Sequence, residues 1–92
     1  MPRILKYPLF EHKKQLVMAY PGRVLTVQLQ NGQPMMWVLV EEEGRLIERF
    51  VWQICTGDTF DVEGAEYIST IFHKPGLVLH VFVKEAESLA DY

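Results

Sequence analysis

Ninety-two residues make one compact domain, too short for two independent cores joined by a hinge. At 49% hydrophobic, 23% charged and 12% aromatic, the chain is too apolar for intrinsic disorder and too interrupted by charge for a membrane span. Nine Lys and Arg against twelve Asp and Glu leave a net charge of −3, which argues against coating nucleic acid by bulk charge alone while allowing a local basic patch.

Gly and Pro punctuate stretches rich in Val, Ile, Leu, Phe, Tyr and Trp, and this rhythm predicts strands at about 3–8, 13–20, 23–30, 35–41, 46–55, 65–73 and 77–83. The first residues carry neither a long apolar stretch nor a small-residue cleavage site, so the expected compartment is the cytoplasm. His12, Lys13 and Lys14 form a small basic tip. Tyr20-Pro21-Gly22-Arg23 and Lys74-Pro75-Gly76-Leu77 both read as type II turns, with Pro fixing φ near −65° and Gly at positive φ. Within 23–30, Leu25, Val27 and Leu29 fall on one face, and Thr26, Gln28 and Gln30 share the other with Val24. Asn31-Gly32-Gln33-Pro34 is a tight connection. The run Met35 to Val40 is apolar on both faces, as is 77–83 apart from His80. Glu41 to Arg45 reads as a solvated hairpin tip, and 56–64 as the longest connection, where a β scaffold often carries binding function. Residues 84–92 read as an acidic tail, leaving the folded domain at 1–83.

Strands apolar on both faces need cover on both. The expected fold is therefore all-β, a small antiparallel barrel of about five to seven strands, with a sandwich or burial against another subunit as the other solutions. Cys55 is the single cysteine, and the three His lack metal-ligand spacing, so neither disulfide nor structural zinc supplements the core and no cofactor is implied. Dense aromatic packing or association with further copies is left to do so.

His80, between Leu79 and Val81, is expected as a core histidine bonded to a backbone carbonyl rather than as a proton shuttle or metal ligand. His73, beside a turn, is expected at the surface. Cys55 next to an acidic loop reads as a small buried hydrophobe. Phosphate loops, nucleophile elbows and His-Glu-x-x-His are absent, so no catalytic residue is assigned. A small enzyme or ligand binder would use the 56–64 loop with His73 or His80, and would need a pocket with two convergent polar groups. Phe50, Trp52, Trp37, Tyr67, Phe72 and Phe82 are expected in the core; exposed, such a row would stack bases, although Arg49 faces away from Phe50 and Trp52. Charge is polarised along the chain. Arg3, Lys6, Lys13, Lys14 and Arg23 against Glu11 give residues 1–23 a net +4, whereas residues 41–66 carry a net −6. That split suits internal pairing or contact between copies.

The segment Val27 to Pro34, followed by Trp37, Leu39-Val40, Tyr67 to Thr70 and Leu77 to Phe82, resembles a family of short uncharacterised proteins of bacteria and their phages over residues 24–83. That resemblance implies no activity. Five bent strands within 23–83 also look like the Sm-like small barrel, which implies rings built by edge-strand pairing and RNA bound in the pore. The Sm-type Asp and Asn-bearing turn and its Arg-Gly partner are missing, and two N-terminal strands replace the usual helix. The expected function is a non-catalytic binding or self-association module, a homo-oligomer with a protein partner as a further option and no membrane role. The alternative is an Sm-like RNA binder that uses Lys13, Lys14 and Arg23.

Overall fold

The computed structural model describes residues 1–10, 13–41, 44–61 and 64–86. Seven antiparallel strands appear in order: β1 (Arg3–Pro8), β2 (Lys13–Ala19), β3 (Arg23–Gln30), β4 (Gln33–Val40), β5 (Ile47–Cys55), β6 (Glu66–Lys74) and β7 (Leu77–Glu85). They form a three-stranded sheet, β1-β4-β3, and a four-stranded sheet, β2-β5-β7-β6. The all-β antiparallel expectation holds, with strand ends within two residues of the sequence reading. β7 continues through Lys84 and Glu85, where a tail was expected; the remainder of that acidic segment and His12 lie outside the described residues.

Closure into a barrel does not occur. The sheets approach where β3 lies against β6, and the hydrogen bonds there run through Ser69. The Val27 amide donates to Ser69 Oγ at 2.9 Å, and Ser69 Oγ lies 3.1 Å from Thr26 Oγ1. Each facing strand carries a bulge here, at Leu25 between Val24 and Thr26 and at Ile68 between Tyr67 and Ser69. An extra residue interrupts the regular spacing of donors and acceptors, so β3 and β6 touch without pairing. The outcome is two packed sheets.

The same bulge overturns the expected faces of β3. It shifts the alternation by one residue, placing Val24 against the core with Val27 and Leu29 and leaving Leu25 exposed. Asn31 and Gly32 both take positive φ, 52° and 79°, as the tight β3–β4 hairpin requires. Gly76, at φ 81°, fits the turn expected before β7. Gly22 does not adopt the positive φ expected of it. Its requirement is space: an added Cβ would sit 2.1 Å from the carbonyl oxygen of Leu39, where the β2–β3 connection crosses β4.

Val27, Met36, Val38, Val40, Val51, Ile71, Leu79 and Val81 meet between the sheets. Leu9 closes one end, its amide donating to the Pro34 carbonyl and its own carbonyl accepting from Gln33 Nε2. Among the described residues no helix is long and apolar enough to cross a membrane.

Candidate functional site

β5 and β7 alternate from Arg49 to Gln53 and from Leu79 to Lys84. Their inward positions there are the buried aliphatics Val51, Leu79, Val81 and Val83, with the buried polar Arg49 and Gln53 beside them. Their outward positions carry Phe50, Trp52, Phe82 and Lys84, all half-buried. Cross-strand register aligns Lys14 of β2, Trp52 of β5, Phe82 of β7 and Tyr67 of β6 in one row on the outer face of the four-stranded sheet. Ring centroids lie 5.9 Å apart for Phe50 and Trp52, and 5.7 Å apart for Tyr67 and Phe82. Phe60, from the loop after β5, packs on Phe82 at 5.3 Å. Lys14 Nζ sits 4.4 Å from the Phe50 centroid and 5.8 Å from that of Trp52, in cation–π range.

The expectation that these rings fill the core is thus corrected: an apolar strand position reads identically on either face of a sheet. Leu16 and Met18 of β2 extend the surface, and Tyr67 and Phe72 remain 54% and 75% exposed. Leu16, Met18 and Phe60 were not singled out from the sequence. For Leu16 and Met18 the available signal was their period-two spacing from Lys14 along β2; Phe60, in a loop, carries none.

His80 also stands on this outer face and not in the core. Its Nε2 lies 2.7 Å from Thr56 Oγ1 and its Nδ1 3.1 Å from Thr70 Oγ1, which in turn is 2.7 Å from the Tyr67 hydroxyl. Two hydroxyls therefore replace the expected backbone carbonyl. His73 is half-buried where exposure was expected, and its Nδ1 is enclosed without a hydrogen-bond partner among the described residues. Cys55 is a free thiol, half-buried and packed against the core. Among the described residues no group of three or more His, Cys, Asp or Glu is arranged to hold a metal ion.

The three cations expected to contact RNA divide between two places. Lys13 and Lys14 begin β2, with Lys14 over the rings. Arg23 begins β3 and lines a cavity of about 320 Å3 at the end of the sandwich, together with Arg49, Lys84, Glu66 and Glu85. Neither His73, His80 nor Cys55 lines that cavity. Arg49 faces inward from β5 and is only 3% exposed. Its Nη2 donates to the Gly22 carbonyl at 2.5 Å, while Nη1 stands 3.6 Å from Glu85 Oε1, beyond hydrogen-bond range. Burial pushes the guanidinium below its ordinary pKa, and Glu85 and then Tyr7 oppose that shift.

A family model described as Domain of unknown function (DUF7352) matches residues 1–90. No curated protein and no solved structure gives a match.

Proposed function

This chain belongs to the DUF7352 family, and we propose that it is a non-catalytic self-association module that pairs with a second copy of itself through the outer face of the four-stranded sheet. The observation that carries this reading is the cross-strand row Lys14, Trp52, Phe82 and Tyr67, with Phe60 laid over Phe82. Aromatic and Met side chains with few charges are the composition of an interface centre. The row is also electrically polar. Lys14 occupies its β2 end, and Phe60, which the sequence sets between the exposed Asp58 and Asp61, lies over Phe82 toward the other. A two-fold axis parallel to the strands lays the row of one copy antiparallel over the row of the other, bringing Lys14 of each toward the acidic loop of its mate. Acidic groups beside the rings oppose a polyanion, which favours a second copy over single-stranded RNA as the occupant.

Native mass spectrometry of the purified chain at tens of micromolar tests this directly, because it reports subunit number and retained RNA together. The expected result is a dimer for the wild type and monomers for Leu16→Glu and Phe72→Glu, both folded by circular dichroism. Monomeric wild-type protein overturns the proposal. So does retained RNA whose affinity falls steeply with salt, which assigns the rings to base stacking instead.

A further inference from the structure

The cavity at the end of the sandwich is bordered by none of the rings and meets the outer face only at Lys84, and it contains a buried arginine with an unsatisfied donor. Arg49 is almost wholly buried, yet among the described residues its Nε has no hydrogen-bond partner. A guanidinium is an obligate cation with five donors, and an enclosed donor without an acceptor costs about 1–3 kcal/mol. The nearest carboxylate, Glu85, is mostly solvated, with 60% of its side chain exposed, and stands too far away to accept a hydrogen bond. Arg23 and Lys84 add cations to the described lining, with Glu66 and Glu85 the carboxylates on it. Val24 and Val83 contribute apolar wall beside them.

We infer that this cavity is a binding site for a small carboxylate with a short aliphatic tail, held by Arg49 and Arg23 with the tail against Val24 and Val83. A carboxylate matches the planar guanidinium fork with a single charge, whereas the dianion of a phosphate monoester would bring a second one toward Glu66 and Glu85. The ligand carboxylate takes the place that Glu85 fills loosely, offering Arg49 an acceptor at charge-assisted distance. This inference is independent of self-association, since the cavity lies at the end of the sandwich rather than along the ring row.

The Arg49 Nε–H is itself the reporter. In 15N-labelled protein its resonance is assigned through the Arg49 side-chain carbons and followed during titration with sodium isobutyrate, with sodium chloride at equal ionic strength as reference and inorganic phosphate as a third arm. The expected result is a saturable shift with isobutyrate that chloride does not reproduce, and at least tenfold weaker binding in Arg23→Gln, a rim substitution that leaves the Arg49 bond to Gly22 intact. An isobutyrate response equal to that of chloride overturns the site. A response to phosphate at lower concentration than to isobutyrate overturns the carboxylate assignment.

Discussion

The two sides of the four-stranded sheet are built from the same strands and are nearly equally apolar, yet they differ in the kind of apolar residue used. Val51, Leu79 and Val81 point inward and are fully covered by the opposing sheet. Phe50, Trp52, Phe82 and Tyr67 point outward, where a second layer is absent among the described residues and the rings cover one another at centroid distances under 6 Å. Branched aliphatics interdigitate in a dry layer about 10 Å thick. Aromatic rings bring large area and, in Tyr and Trp, a polar edge that tolerates water until a partner arrives. The inner side is thus suited to permanent burial and the outer side to conditional burial.

Breaking the inner side should have the largest effect. Leu79→Ala removes a fully buried side chain, and a loss of about 2–5 kcal/mol is expected in urea unfolding. A loss under about 1 kcal/mol would mean that the sheets are less closely packed than described. On the outer side, Trp52→Ala is expected to weaken association by about 2 kcal/mol, roughly 30-fold in Kd by sedimentation equilibrium. An unchanged Kd would move the interface elsewhere. The seam between the sheets comes next. Ser69→Ala strands the buried Val27 amide, with an expected loss of about 1–2 kcal/mol in unfolding and no change in association. Smallest is Lys14→Gln, which removes the cation over Phe50 and Trp52. About 0.5–1 kcal/mol is expected, read as a modest rise in Kd and a shift in Trp fluorescence.

Much of the fold was legible because its signals are local. Asn31-Gly32 and Pro75-Gly76 are turn chemistry, and strand lengths follow from the punctuation between them. What failed was information that resides in contacts between distant residues. The bulge at Leu25 reverses a face without leaving a mark in composition, and Gly22 is required by the Leu39 carbonyl seventeen positions away. Of the expected site residues, Lys14 lies at the ring face and Arg23 at the cavity, but their separation depends on which sheet each strand joins. Arg49 faces away from the rings, as the alternation along β5 predicts. That the opposite direction leads to a cavity is not visible in a pattern of period two.

The hydroxyl of Ser69 has one further consequence. A backbone ladder between β3 and β6 would hold this seam by repeated bonds that must break together, whereas the Val27 amide is held by one side-chain oxygen and the apolar packing around it. In exchange terms, the Val27 amide should trade its proton for deuterium sooner than amides in the β5–β7 ladder. Its rate would be a clock of how often the seam at Ser69 opens locally.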